Sequence, residues 1–344
     1  MRKLAGAKGW AHCISTGLSL LLLAAVGATC STFAAQDARF SPEKRVQIES
    51  AVGRFMAATS APGISFAVVE DAQPVWSAGF GMADLENFVP VTPQTLFRLG
   101  SISKPITAVA ALELWERGKL DLDAPVQRYC PRFPQTDAPI TTREVLGHLG
   151  GIRHYRTDSA DAETGNTKHF DDPIQAGLDF FKNDALVAKP GTHFHYSTQG
   201  YTLVGCVMEG ASGQKYVEFV RENVLRPAQM SETQTDNRYV VIPHRTRFYH
   251  KEESGAVVNA DFLDSSYKIP GGGWLSSADD MAKFEVAIFK DRLLRRTTRE
   301  LMWTPLKPSD GSEDDYGLGW GVDRKSGVFQ VGHTGGQQGT APHS

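Results

Sequence analysis

Residues 95–118, TLFRLGSISKPITAVAALELWERG, place a serine and a lysine one helical turn apart at the mouth of an apolar helix, and no other stretch constrains the chain as much. Residues 95–99 read as a short extended approach, Gly100 permits a tight turn and Gly118 stops the helix. Ile106, Ala110 and Leu114 recur every four residues, and Val109 and Leu112 widen the stripe, so a mostly buried helix is expected. Ser101 then stands at a helix N-terminus, where free N–H groups and the dipole favour developing negative charge. Lys104 projects from the same face and can approach the hydroxyl. A serine becomes a nucleophile when a neighbour takes its proton, so the pair has a chemical use. Spacing alone does not select it, because Ser-x-x-Lys also occurs at Ser41/Lys44, Ser212/Lys215 and Ser265/Lys268. Ser41, followed by Pro42 and Glu43, fits a helix cap, and Ser212 lies in a polar turn. Only Ser101 has an apolar helix behind it to bury the lysine stem.

Residues 1–35 read as a secretory signal. Arg2, Lys3 and Lys8 form a basic start, residues 18–26 an apolar core and residues 32–35 a small-residue cleavage region, with no acid before Asp37. The apolar run is short for a retained membrane anchor, and Thr29 is an unusual neighbour for a lipidated Cys30. No later segment is apolar enough to span a bilayer, so the mature chain is expected in the periplasm or medium with no stable membrane span. Removing 1–35 takes three of the 36 basic residues and none of the 39 acidic ones, moving the net charge from −3 to −6. No basic block remains of the kind nucleic acid demands. Cys130 and Cys206 survive processing; the sequence leaves their pairing open, and Cys206, in an apolar helical run, reads as a buried thiol.

Along the mature chain, residues 42–57 have the pattern of an amphipathic helix, and residues 63–70 and 75–80 that of a β-hairpin. Residues 120–125 form a loop before a short helix at 141–148, and the polar residues 153–172 are expected to cover the surface near the site. Residues 200–209 read as an apolar helix, and 214–225 as an amphipathic helix closed by Pro227. Residues 245–258 contain short strand-like pieces, 271–277 a flexible turn, and 278–289 a helix capped by Ser276 or Ser277. Residues 316–322 and 328–333 alternate like antiparallel strands. Strands at both ends with helices between them imply an α+β fold: an antiparallel sheet from N- and C-terminal segments, flanked by helices, with an inserted, mostly helical subdomain.

Ser101-Ile-Ser-Lys104, Tyr196-Ser-Thr198 and His333-Thr-Gly335 resemble, in order and separation, the three motifs of the serine β-lactamase and penicillin-binding-protein superfamily. The resemblance is greatest to its class C-related branch, which includes D,D-peptidases, esterases and LACTB-like serine proteases. It extends over residues 42–340 and includes His148-Leu-Gly-Gly-Ile-Arg-His-Tyr155. Tyr155-Arg-Thr157 also fits Tyr-x-Thr, so the middle motif is weak by itself. The resemblance implies a β-lactamase/transpeptidase-like domain over 36–344 with Ser101, Lys104 and Tyr196 catalytic. It also implies substrate contacts at Thr198, His333, Thr334 and Gly335, and an oxyanion hole from the Ser101 and Gly336 N–H groups. A phenol of pKa about 10 is a poor base unless a cation favours the phenolate, and Lys104 is the available cation. Thr198 stands where much of the family has Asn; its hydroxyl can serve a substrate amide or Lys104. His333 stands where many β-lactamases have Lys, which favours a peptidase or esterase, because a mostly neutral imidazole recognises a carboxylate weakly. The expected activity is hydrolysis of amide or ester bonds through a Ser101 acyl-enzyme. The substrate is a small molecule or peptide, such as a cell-wall peptide, an ester or a β-lactam.

No metal or organic cofactor is implied. His193-x-His195 lacks a third ligand at zinc-like spacing, and His148 and His154 are expected to stabilise the loop beside the site. The competing reading is a non-catalytic penicillin-recognising or cell-wall-sensing module. The resemblance also implies about two more strands and a helix after the third motif, so the domain is expected to be C-terminally truncated, and an inactive product is a third reading. Without those strands the hairpin and the 328–333 strand would stand some 14 Å apart, at about 4.8 Å per strand, and could not pair.

Overall fold

The computed structural model describes residues 40–156, 166–324 and 327–343. The signal reading of 1–35 and the middle of the polar stretch 153–172 lie outside the described residues. Helix α1 (Pro42–Thr59) begins at Ser41, whose hydroxyl accepts the Lys44 N–H at 3.4 Å. Strands β1 (Gly63–Glu70) and β2 (Gln73–Asp84) form the hairpin, turning on Asp71 and Ala72 with φ of 51° and 52°. Positive φ at both central residues gives the turn a twist that suits the strands. Strand β3 (Val89–Pro90) pairs with β2 to complete a three-stranded sheet.

Strand β4 (Phe97–Arg98) leads through a tight turn at Gly100–Ile102 into helix α2 (Ser103–Glu116). Every residue from Ser103 to Leu114 is buried. A helix apolar on nearly all sides belongs in the middle of a fold, and α2 is its axis. The short α3 (Thr142–Leu146) is held by a reciprocal capping box between Thr141 and Glu144. Helices α4 (Pro173–Asp179) and α5 (Thr198–Ser212) follow, α5 packing on α2, α3 and α4.

The reading that Pro227 closes the next helix is corrected. Helix α6 (Tyr216–Val220) widens into a π turn at Arg221–Leu225 and continues through Pro227 as α7 (Arg226–Ala228). A wider turn accommodates a residue that has no N–H to donate. The chain continues with β5 (Gln234–Thr235), β6 (Tyr249–Lys251) and β7 (Val257–Asn259). After these come α8 (Ile269–Gly272) and β8 (Trp274–Ser276).

Residues 271–277 are therefore not the flexible turn expected of three consecutive glycines. Strand β8 is fully buried and central, flanked by β4 and β5. Trp274 supplies the reason: its ring is 1% exposed and its indole N–H donates to Tyr216 Oη at 3.2 Å. Helix α9 (Ala278–Phe289) is capped by Ser277 and rests on β1 and β2. Helix α10 (Arg296–Met302) precedes β9 (Gly321–Asp323) and β10 (Gln330–Gly332), which pair antiparallel over three residues.

The fold is α+β, with the helical region between two strand-bearing ends. The N-terminal hairpin and the β9–β10 ribbon stand in separate sheets. Cys130 and Cys206 form a disulfide, correcting the reading of Cys206 as a thiol. Cys130 closes the turn after Val126–Arg128 directly against α5, bringing the two Cα atoms to 5.5 Å, a normal bridging distance.

Candidate active site

The site forms where three buried elements converge. Hydrogen bonding of Leu99 N–H to the Trp274 carbonyl (2.9 Å) fixes the approach to Ser101 against β8. Gly100, at φ +51°, turns the chain into α2, and a Cβ there would stand 2.9 Å from Gly336 N. Absence of that carbon lets the Gly336 amide come beside the Ser101 turn, so the two expected oxyanion-hole donors lie together. At Gly271 a Cβ would meet Thr198 Cγ2 at 2.6 Å, so the bare backbone lets α8, α5 and Lys104 close on one another.

Lys104 is 0% exposed, whereas Ser101 remains half-open. Its Nζ lies 2.9 Å from Ser101 Oγ, 3.1 Å from Thr198 Oγ1 and 2.9 Å from the Gly271 carbonyl oxygen. It also stands 4.7 Å from the centre of the Tyr196 ring. Burial first, and repulsion from Lys268 second, hold its pKa well below the ordinary lysine range. The Tyr196 phenol hydrogen-bonds Ser101, yet burial pushes its pKa up to about 12. Desolvation disfavours the charged form of each, the ammonium of Lys104 as well as the phenolate of Tyr196.

Two histidines hold the start of α5. His148 Nδ1 accepts the Ser197 N–H and His154 Nδ1 the Thr198 N–H, each at 3.2 Å. Burial pushes His148 well below the usual histidine range and His154 to about 4. This agrees with a supporting role for both. The His148 ring also lies 4.4 Å from that of Tyr196, setting the position of the phenol.

His333 is engaged through both ring nitrogens. It is 8% exposed; Nδ1 donates to the Thr334 carbonyl (2.6 Å) and Nε2 accepts from Tyr316 Oη (2.9 Å). Burial above all lowers its pKa to about 4. Thr334 is exposed, and Gly335 is drawn against the Leu99 carbonyl, donating its own N–H to Pro342 O at 2.7 Å. Thr198 is 3% exposed and faces Lys104, the second of the two partners open to it. A cavity of about 450 Å³ is walled by Tyr196, Tyr316, Val331, His333, Thr334 and His343 among others. The Gly271 carbonyl, Lys268 and Tyr155 were absent from the expected site. Tyr155 did carry a signal, as the rival Tyr-x-Thr match.

The β-lactamase family model matches residues 48–342. Human "Serine beta-lactamase-like protein LACTB, mitochondrial" is 33% identical over 82% of this chain and 68% of its own length. "Penicillin-binding protein 4*" of Bacillus subtilis is 28% identical over 78% of this chain and 62% of its own length. Among solved structures, the octameric penicillin-binding protein homologue from Pyrococcus abyssi superposes with a TM-score of 0.72 at 29% identity. It covers 84% of this chain and 68% of that one. The penicillin-binding protein from Bacillus halodurans also gives 0.72, at 25% identity, covering 85% and 90%.

Proposed function

The chain belongs to the β-lactamase family, and from that membership we propose that it is a serine hydrolase that cleaves amide or ester bonds through an acyl-enzyme at Ser101. The observation that carries this reading is the buried Lys104 amine 2.9 Å from the Ser101 hydroxyl. A lysine held neutral has a lone pair to accept the serine proton, whereas an ammonium has none. Ser101 Oγ then attacks the substrate carbonyl as its proton passes to Lys104. The oxyanion is met by the Ser101 and Gly336 N–H groups. Tyr196, protonated at neutral pH, is placed to donate to the leaving nitrogen or oxygen as the tetrahedral intermediate collapses. The Lys104 ammonium then returns the serine proton to the Tyr196 phenolate, and the amine so freed takes a proton from the water that releases the acyl group. The neutral His333 disfavours dependence on a substrate carboxylate, so a peptide, amide or ester is favoured over a β-lactam.

Intact-mass labelling with a fluorophosphonate tests the reading. Wild-type protein gains one adduct, Ser101→Ala gains none, and Lys104→Gln labels at least a hundredfold more slowly, the usual share of a general base being about 10²–10⁴. Equal labelling of Ser101→Ala and wild type would defeat it. Acylation by penicillin with no product release would instead favour a recognition module. We further propose a periplasmic or secreted location, supported by the Cys130–Cys206 bridge, since such bonds persist in oxidising compartments. Cell fractionation that finds the chain in a reducing cytosol would overturn it.

A further inference from the structure

One of the two oxyanion donors, the Gly336 N–H, stands on neither a helix nor a strand, so contacts outside regular structure must hold it in place. The segment that carries it doubles back. Gly335 N–H donates to the Pro342 carbonyl at 2.7 Å, and Gln337 and Thr340 exchange backbone hydrogen bonds of 3.1 and 3.0 Å around a turn. Gly339 supplies the positive φ, +75°, at that turn. The far side of the turn is anchored at Arg98, whose Nη1 donates to the Gln338 carbonyl (2.9 Å) and whose own carbonyl accepts from Thr340 Oγ1 (3.3 Å). Arg98 is itself fixed, with Nε on Asp236 Oδ2 at 2.7 Å and its guanidinium 3.6 Å from the centre of the Phe248 ring. The near side, next to Gly336, is anchored by Gln337, whose Nε2 donates to the Gly272 carbonyl at 2.6 Å. Its Oε1 is buried and meets no donor among the described residues, so the Nε2 bond orients the amide. Gly272 follows Gly271, whose carbonyl accepts from Lys104, and a Cβ on Gly272 would stand 3.5 Å from Gln337 Nε2. Gln337 therefore ties the oxyanion donor to the stretch of backbone that holds the base.

We propose that Gln337 is a positioning residue whose amide, clipped to the Gly272 carbonyl, holds the Gly336 N–H where the oxyanion forms beside Ser101. The proposal rests on the reading of Ser101 as the nucleophile. Without the Gln337 amide the turn stays docked through Arg98 and Thr340, and only the stretch next to Gly336 is released. The donor then points less well at the developing charge, while the groups that receive the rest of the substrate keep their places.

The test is fluorophosphonate labelling at Ser101, read as a maximal rate, a half-saturating concentration and the fraction labelled at completion. Gln337→Met keeps the length of the side chain and removes the donor. It is expected to label about tenfold more slowly at saturation, part of the ~10²–10³ lost when an oxyanion donor is removed outright. Half-saturation and the final fraction are expected to stay as in wild type. Gln337→Glu can donate to Gly272 only while its carboxyl is protonated, so its maximal rate relative to wild type is expected to fall as pH rises from about 5 to about 9. A packing role alone would lower the fraction labelled and leave both the rate per labelled site and the Gln337→Glu ratio unmoved. A wild-type maximal rate in Gln337→Met, or a Gln337→Glu ratio that is flat with pH, overturns the positioning role while leaving the hydrolase reading intact. Equal labelling of Ser101→Ala and wild type overturns both. If Gln337→Met does not fold, the pH dependence of the Gln337→Glu ratio decides alone.

Discussion

His333 shows how one buried side chain links the site to pH. Its Nδ1–H is tied to the Thr334 carbonyl and its Nε2 to Tyr316, so the fold holds the neutral tautomer. A base held neutral by burial has a folded pKa, about 4, below its unfolded value of 6.5. Between those pH values the unfolded chain binds the extra proton, so the contribution is complete above pH 6.5 and is lost as pH falls towards 4. The full effect is on the order of 3 kcal/mol. Urea titrations of wild type and His333→Gln at pH 7 and pH 4.5 measure it. Wild type is expected to lose more stability on acidification than the variant, and parallel losses would refute the assignment. Lys104 acts on the rate in the same sense. Protonation removes its lone pair, so labelling at Ser101 is expected to fall on acidification, with a midpoint well below the ordinary lysine value. A midpoint near 10, the usual lysine range, would show the amine to be solvated.

At the level of elements, much of what positions the site follows from local pattern. The apolar run behind Ser101 makes α2 a buried helix, and Ser41 and Ser277 cap helices where their side chains predict it. What the pattern hides is long-range. Three glycines in a row look mobile, yet Gly271 and Gly272 lead into a central strand because Trp274 and Leu275 are claimed by the core from both sides. Tyr155 and Lys268 stand 113 residues apart and meet only through tertiary folding, so no spacing rule joins them to Ser101. The same holds for Cys130 and Cys206, separated by 76 residues. Their bond pins the turn at Cys130 to α5, the helix whose first residues hold Thr198 against Lys104. Loop-closure entropy gives such a crosslink about 4 kcal/mol. Reduction, or Cys130→Ala with Cys206→Ala, should lower the urea midpoint accordingly. An unchanged midpoint would mean that packing alone holds α5.

Over the whole molecule, stability is distributed unevenly. The main hydrophobic cluster joins α2, α5, α6, β8 and α9 around the candidate site, with Ile106, Leu112, Val207 and Phe284 fully enclosed. Phe40, Val75 and Trp76 form a separate small cluster under the hairpin. Helix α1 contributes no buried residue; Val46 and Phe55 are 64% and 55% exposed, and the exposed Lys44–Glu70 pair adds little. Local opening costs least where little apolar surface is enclosed, so α1 and β1 belong to a weaker cooperative unit than the catalytic core. Hydrogen exchange followed by mass spectrometry should release amides of residues 42–59 well before those of 103–114. In the same way, Phe55→Ser is expected to change global stability by no more than about 0.5 kcal/mol. Ile106→Ala, which opens a cavity in the cluster behind Ser101, is expected to cost about 2–5 kcal/mol. If Phe55→Ser costs as much as Ile106→Ala, or the two helices exchange together, the chain is a single cooperative unit and the site has no privileged core behind it.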